Sequence, residues 1–415
     1  MPSFHSQRNL KYLENMKNVK PADRLSLVQE YYFSRKLKEV ARLNAEGRDI
    51  ISLAIGSPDM PPSPQTIDRL CEVAHQPGAH GYQPTMGTPE LREAMALYYN
   101  KVYGVDVDPQ TEVLPLIGSK EGILHITLAF ANPGETVLVP NPGYPTYTSL
   151  SKLLGARVEY YDLKEENGWQ PDFKDLFSRD LSHVKLMWCN YPHMPTGAPA
   201  LQGVFDRLAE LARKNNFIVV NDNPYSRILN DSPLSIFNTR LTDQQTAKDH
   251  CIELNSLSKS HNMPGWRVGM CIAKAEYISW ILKVKSNIDS GTFRGLQLAA
   301  AEALTTNTEE WHVEHNIQIY RRRRELAEQI MTTLGCTFDP QQVGMFLWGR
   351  IPERYENAEQ LTERVLHEAR VFITPGFIFG SNGERYIRIS LCAKEEKMRE
   401  ALERIHILRN QGMTE

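Results

Sequence analysis

Lys259 sits in the stretch with the greatest chemical potential in this chain, Ser256-Leu257-Ser258-Lys259-Ser260-His261-Asn262-Met263-Pro264-Gly265-Trp266-Arg267. The apolar run His250-Cys251-Ile252-Glu253-Leu254 enters it and reads as a buried strand, and Arg267-Val268-Gly269-Met270-Cys271-Ile272-Ala273 reads as a second one. A lysine at a strand end can form a Schiff base when its surroundings keep part of it neutral. Flanking hydroxyls and an arginine eight residues on suit a phosphate. A lone S-x-S-K is usually a surface turn, so the weight falls on what accompanies it.

The form S-x-S-K…G-W-R-x-G resembles the lysine segment of fold-type I pyridoxal-phosphate (PLP) enzymes, within the class I/II aminotransferases. The resemblance implies that Lys259 carries PLP and that Ser256, Ser258 and Arg267 hold its phosphate. It also gives a job to polar residues that follow other apolar runs. Gly118-Ser119-Lys120 opens a helix after a strand, where backbone N–H groups and a hydroxyl can hold a phosphate. It is neither a nucleotide P-loop nor a dinucleotide fingerprint, because their glycine spacing is absent.

Tyr144, in Pro142-Gly143-Tyr144-Pro145-Thr146-Tyr147, is similar to the family aromatic that stacks on the pyridine ring. Asp222, at the end of Phe217-Ile218-Val219-Val220-Asn221, is a carboxylate in need of a partner. In the family that partner is the pyridine nitrogen, which it keeps positive so that the ring draws electrons. Tyr225, three residues on, contacts the phenolic oxygen there. Tyr82, in a Y-x-x-x-x-G-x-x-x-L-R pattern, corresponds to a tyrosine that reaches the phosphate of a neighbouring subunit, which implies a homodimer. Gly56 corresponds to a glycine that offers backbone to the substrate carboxylate, and Arg388, in Tyr386-Ile387-Arg388-Ile389-Ser390, to the arginine that clamps it bidentately. Arg385 is an odd number of positions from Arg388 and is read as solvent-facing.

One position departs from the pattern. Asn190-Tyr191-Pro192-His193-Met194-Pro195-Thr196-Gly197 has Met194 where the family has an asparagine on the phenolic oxygen. A thioether cannot donate that bond. Either His193 or Asn190 supplies a donor, or Tyr225 holds the oxygen alone.

These residues need a sheet to position them. Seven apolar runs, 112–117, 136–139, 157–161, 184–190, 217–222, 250–256 and 267–273, alternate with helical stretches. That predicts a doubly wound, mostly parallel sheet whose ligands sit off the carboxyl ends of its strands. Thr88-Pro89 reads as a helix start. Arg24–Glu46 has the spacing of an amphipathic helix. From about 335 on, strand-like runs at 345–348, 371–374 and 386–390 alternate with helices, an α+β pattern. Arg321 to Arg324 read as a solvated helix face, and His312 and His315 as surface or interface residues rather than metal ligands.

At 415 residues the chain exceeds the usual single domain. A net charge of -3 gives no reason to expect nucleic acid or an anionic membrane as partner. Six scattered cysteines without a C-x-x-C pair read as reduced thiols. The first twenty residues lack an apolar signal region and no run reaches membrane-spanning length, so the expected setting is the cytoplasm.

The sequence therefore implies an α/β, fold-type I architecture: an arm and part of a small domain at 1–48, a large PLP-binding domain at 49–306, and a small α+β domain at 307–415. The implied activity is amino-group transfer between an L-amino acid and a 2-oxo acid, with Lys259, Asp222 and Tyr225 catalytic and no metal. The nearest branch contains LL-diaminopimelate, aromatic and alanine aminotransferases. Other PLP chemistry, such as β-elimination from a cysteine conjugate, is the alternative, and a non-catalytic PLP-binding regulator the least favoured reading. Tyr31, Tyr32 and the loop 286–294 are expected to line the side-chain pocket.

Overall fold

The computed structural model describes residues 20–28, 32–241 and 246–411. Its strands are β1 (Ile51–Ser52), β2 (Val113–Leu116), β3 (Thr136–Asn141), β4 (Arg157–Asp162), β5 (Val184–Cys189), β6 (Ile218–Asp222), β7 (Cys251–Ser256), β8 (Gly269–Ile272), β9 (Phe346–Arg350), β10 (Val371–Phe372), β11 (Thr374–Pro375) and β12 (Tyr386–Ser390). Strands β2 to β8 form one sheet of seven in the order β2-β8-β7-β6-β5-β3-β4. Within it only β8 runs against its neighbours β2 and β7; every other pair is parallel. All seven expected strands are present, with shifted ends.

Both faces of this sheet are covered, which is why its strands are apolar throughout. Leu138, Met187 and Val219 face one layer, with Phe205 and Leu208 of the helix Gln202–Asn215. Val137, Val139, Trp188 and Val220 face the other, with Ile123 and Ile126 of the helix Ser119–Phe130. The chain steps from β3 out to β4, then returns past β3 to β5, β6 and β7. Such a reversal opens a crevice at the carboxyl ends of the strands.

The remaining strands bring the chain's two ends together. β9, β12 and β11 form an antiparallel sheet with β12 central. β1 pairs in parallel with β10. The run expected at 371–374 is thus two short strands in different sheets. Val371 and Phe372 pair with Ile51 and Ser52, while Thr374 pairs with Arg388.

Other expectations fail for reasons of packing. No continuous helix spans 24–46 in the described residues: a 3-10 turn at Asp23–Leu27 has no buried residue, and the α-helix begins at Tyr32 and buries Val40 and Leu43. Arg321 and Arg322 are exposed, but Arg323 and Arg324 are buried. Arg323 donates to both carboxylate oxygens of Asp59 at 2.7 and 2.9 Å and to the Leu391 carbonyl at 3.1 Å. It ties the long helix Gln318–Leu334 to the loop after β1. Arg324 donates to Glu328 at 2.7 Å and to the Gln342 carbonyl at 2.9 Å.

Arg323→Ala is expected to cost about 2 kcal/mol of stability in denaturant unfolding, because Asp59 keeps a partly buried, unmatched charge. His312 is buried rather than on the surface, with its ring 4.9 Å from that of His261. Arg385 is half-buried, because it precedes β12 and donates to the carbonyls of Tyr355, Glu356 and Pro352. All six cysteines are free, and five are buried; Cys71 is exposed.

Candidate active site

A cavity of about 420 Å³ lies off the carboxyl ends of β3, β5, β6 and β7. Its walls include Ser119, Lys120, Tyr144, Asn190, Asp222, Tyr225, Ser256, Ser258, Lys259, Arg267, Gly56 and Arg388. Segments spread along most of the chain thus meet at a single place in space.

Lys259 lies on the single helical turn Leu257–Ser260 that follows β7. Ser256 caps that turn by accepting the Ser258 N–H. Its hydroxyl also lies 2.9 Å from Ser258 Oγ and 3.0 Å from the Val268 carbonyl. The Lys259 amine donates to the Gly56 carbonyl. Burial pushes this amine below the ordinary lysine range; the neighbouring Cys392 opposes that, and the charges of Arg388 and Arg267 add to it. A partly deprotonated amine is the form that attacks an aldehyde.

The phosphate-type groups cluster around Arg267. Its Nη1 is 3.4 Å from Ser258 Oγ and 2.9 Å from the Pro264 carbonyl. Gly118 has φ +77°, and a Cβ there would lie 2.0 Å from Arg267 Nη2. Only glycine lets the guanidinium lie against the turn that starts the helix Ser119–Phe130. Gly118 does not itself line the cavity, whereas Ser119 and Lys120 do.

Asp222 is 5 % exposed at the end of β6. Tyr147 donates to its Oδ2 at 2.9 Å, while Oδ1 is buried with no hydrogen-bond partner among the described residues. Burial raises its carboxyl to about 7; the Tyr147 bond opposes that and the charge of Glu253 adds to it. An orphaned carboxylate oxygen facing a cavity calls for a donor that carries positive charge. Tyr144 presents its ring edge-on to Tyr147 at 5.6 Å, and Tyr147 stacks on Trp188 at 5.0 Å.

Arg388 is central in β12 and buried. Its Nη2 donates to the Ala54 carbonyl at 2.9 Å, and its Nη1 lies 3.3 Å from Met194 Sδ. Of the two polar substitutes considered for the missing asparagine, only Asn190 reaches the cavity. Its amide donates to the Asp222 carbonyl and its oxygen accepts the Met194 N–H at 2.8 Å. His193 turns away, 2.8 Å from the Thr196 hydroxyl.

Sequence reasoning missed Tyr147, although its place three residues after Tyr144 was a signal. Phe33, Phe346 and Phe379 also line the cavity and carried no signal. Tyr32 does not line it; its ring packs on Phe377 at 5.2 Å. No residue of 286–294 lines the cavity of this chain, and Tyr31 lies outside the described residues. Tyr82 is 93 % exposed and away from this chain's cavity.

A half-buried lysine at a strand end, a hydroxyl-and-arginine cradle, a flat aromatic and an orphaned aspartate oxygen all fit PLP. Fold and site together define a PLP-dependent enzyme of fold type I. The chain belongs to the family aminotransferase class I and II, whose profile matches residues 48–405.

It is similar to LL-diaminopimelate aminotransferase of Dehalococcoides mccartyi, 40% identical over 396 residues, covering 95% of this chain and 100% of the relative. The LL-diaminopimelate aminotransferase of Moorella thermoacetica is 40% identical over 387 residues, covering 93% and 98%. Among solved structures, substrate-bound BacF from Bacillus subtilis superposes with a TM-score of 0.86 at 35% identity, covering 94% and 98%. The aromatic aminotransferase from Pyrococcus horikoshii gives 0.82 at 29%, covering 94% and 98%. The protein is a PLP-dependent aminotransferase that moves an amino group between an L-amino acid and a 2-oxo acid.

Proposed function

We propose that the residues gathered in this cavity divide the work of amino-group transfer between them. The observation that carries the proposal is the convergence of Lys259, Asp222 and Arg388 on one enclosed space. When bound, PLP supplies an electrophilic aldehyde and an electron-withdrawing ring. Lys259 would hold the aldehyde through its Nζ, and the same amine, when free and neutral, would serve as the base and acid that accepts a proton from substrate and gives it back. Asp222, whose Oδ1 lacks a partner among the described residues, would hold the ring nitrogen's proton, Tyr225 and Asn190 would serve the phenolic oxygen, and Tyr144 would supply a stacking face. Ser119, Lys120, Ser256, Ser258 and Arg267 hold the phosphate, with Gly118 making room for Arg267. Arg388 grips the substrate α-carboxylate, and the backbone at Gly56 closes on it.

We further propose a homodimer in which Tyr82 serves the partner's phosphate, a role its exposure suits. The proposed large unit is residues 49–306 and the proposed small one residues 1–48 with 307–415; the packing of Val40 and Leu43 with Leu366 and Phe372 supports this, and the β1–β10 pairing crosses between the two. The cytoplasm is the proposed location, since unpaired cysteines suit a reducing compartment. No helix of the described residues is long and apolar enough to cross a membrane.

Mixing two inactive chains tests the shared site. A Tyr82→Ala chain and a Lys259→Ala chain, refolded together, should recover about a quarter of wild-type activity, because half the dimers are hybrids with one intact site each. No recovery, with hybrids demonstrated by native mass spectrometry, would place Tyr82 in its own chain's site, and an active Tyr82→Ala chain would place it in none.

A further inference from the structure

We infer that Asn316 is a positioning residue for the reaction: from the helical stretch 309–334 it grips the turn that bears Lys259 and so sets where that amine stands in the cavity. The inference rests on the reading that Lys259 is the reacting amine.

The turn Leu257–Ser260 is four residues long. So short a helix leaves most of its carbonyl groups without an intrahelical partner, and its direction is set by whatever meets them. The Ser260 carbonyl, next to Lys259, accepts the side-chain amide of Asn316 at 2.8 Å. Asn316 Oδ1 in turn accepts the side-chain amide of Asn262 at 2.8 Å. The Asn262 amide nitrogen also lies 3.4 Å from the Pro61 carbonyl. A backbone carbonyl at each end fixes which atom of each amide is the nitrogen. Asn316 and Asn262 are 1 % and 2 % exposed, so bulk water does not compete for these bonds. Asn262 has φ +56°, a left-handed conformation that asparagine adopts more readily than most residues. The backbone reverses there and brings the Asn262 amide onto Asn316.

A local change of helix geometry places Asn316. Val313–Ile317 is a π-helical segment between the α-helices Glu309–His312 and Gln318–Leu334. A π turn widens the helix by one residue and redirects its side chains, and such segments are frequent where a helix serves a site. Four positions earlier, His312 sets its ring edge-on to that of His261, 4.9 Å away. One helical stretch therefore meets the three consecutive residues after Lys259: the carbonyl of Ser260, the ring of His261 and the amide of Asn262.

The same stretch also holds the other side of the lysine. Seven residues beyond Asn316, about two turns on, Arg323 donates to both oxygens of Asp59. Asp59 and Pro61 belong to the loop after Gly56, and the Gly56 carbonyl accepts the Lys259 amine. Asn316 thus fixes the turn and Arg323 fixes the loop, and the amine is held between them. Proton transfer needs that amine within hydrogen-bond reach of its target, and a misplacement of about 1 Å can cost a hundredfold. Arg388, which takes the substrate carboxylate in the proposed reaction, is held separately by β12 and the Ala54 carbonyl. Loosening the turn therefore slows the chemistry and leaves substrate binding in place.

Asn316→Ala tests this with two readouts. In single-turnover reaction of the PLP-loaded enzyme with an amino donor, the rate at saturation should fall about 10- to 100-fold, while the half-saturating concentration changes less than about 2-fold. In hydrogen exchange of the full-length protein, with and without PLP, the peptide 257–263 should exchange about 10-fold faster or more, and β6 should match wild type. Thr333→Ala is the control. It removes a buried hydroxyl of the same helix that lies 3.0 Å from His406 and does not line the cavity, and it should leave turnover within about 2-fold of wild type. Asn262→Gly, which keeps the positive φ at no steric cost, should slow turnover about 3-fold or more and decides the matter if Asn316→Ala does not fold. Wild-type turnover in a folded Asn316→Ala, equal slowing in Thr333→Ala, or unchanged exchange at 257–263 would overturn the inference. If the wild type itself reacts with no donor, the assignment of activity fails instead, and the exchange comparison still decides whether Asn316 holds the turn.

Discussion

Lys259→Ala should leave a folded protein with turnover reduced by about four orders of magnitude or more, because one side chain both anchors the cofactor and moves the proton. Three features of its setting argue for so large an effect. The amine stands at the end of β7 on a turn fixed by Ser256, so its direction is set before any ligand arrives. Its oxygen contact among the described residues is the Gly56 carbonyl, which leaves a lone pair available once the proton departs. Burial, aided by the charges of Arg388 and Arg267 and opposed by Cys392, favours that departure. Borohydride treatment of the loaded wild type should attach the cofactor to the peptide carrying Lys259, and the variant should show no adduct. Lys259→Arg should behave alike, since a guanidinium stays charged. Wild-type turnover in either variant would remove Lys259 from the reaction.

Asp222→Asn should lower turnover by about a hundredfold to ten-thousandfold, because a neutral amide no longer keeps the ring nitrogen positive. A second effect is visible without the reaction. In the cofactor-free protein the Asp222 carboxyl is raised to about 7 by burial, with Tyr147 opposing and Glu253 adding. For an acid whose folded value is raised, the associated stability is fully present below the ordinary carboxylate value near 4. It is lost as pH rises through about 7. Cofactor-free wild type should therefore lose about 4 kcal/mol between pH 4 and 8 that Asp222→Asn keeps, since each tenfold difference in proton affinity between the folded and unfolded chain is worth about 1.4 kcal/mol. Bound PLP should flatten the wild-type dependence, since Oδ1 then has its cationic partner. Melting curves of the two proteins that run parallel from pH 4 to 8 would refute the role given to this carboxylate.

Much of this site could be read along the chain because its parts are local. Ser256, Ser258, Lys259 and Arg267 lie within twelve residues, and the turn that unites them is made by their own backbone and hydroxyls. Asp222 and Tyr144 each follow an apolar run, and a run that must be buried on both faces fixes where its polar end emerges. Gly118 could be found from its place between strand and helix, although the Cβ-sized gap it leaves for Arg267 could not.

What escaped the sequence was settled by pairing between distant segments. Arg323 and Arg324 stand in a run of four arginines that looks solvated, yet the helix rotates two of them inward, one onto Asp59 264 positions away. Tyr147 acquired its function only when β3 and β6 came to lie in one sheet, which put its hydroxyl on Asp222.

The sequence by itself pointed to the class of chemistry, and the lysine, aspartate and phosphate-type groups it singled out are ones that meet in a single cavity. Those assignments rest on short-range spacing that survives in any fold containing the turn. Only the tertiary structure decided which apolar side chains wall the cavity. Phe33, Met194, Phe346 and Phe379 meet around Arg388, which on β12 donates to Ala54 334 residues earlier. Apolar side chains carry no local mark of whether they will fill a core or frame a substrate, and here the packing of both chain ends against the large sheet made that choice.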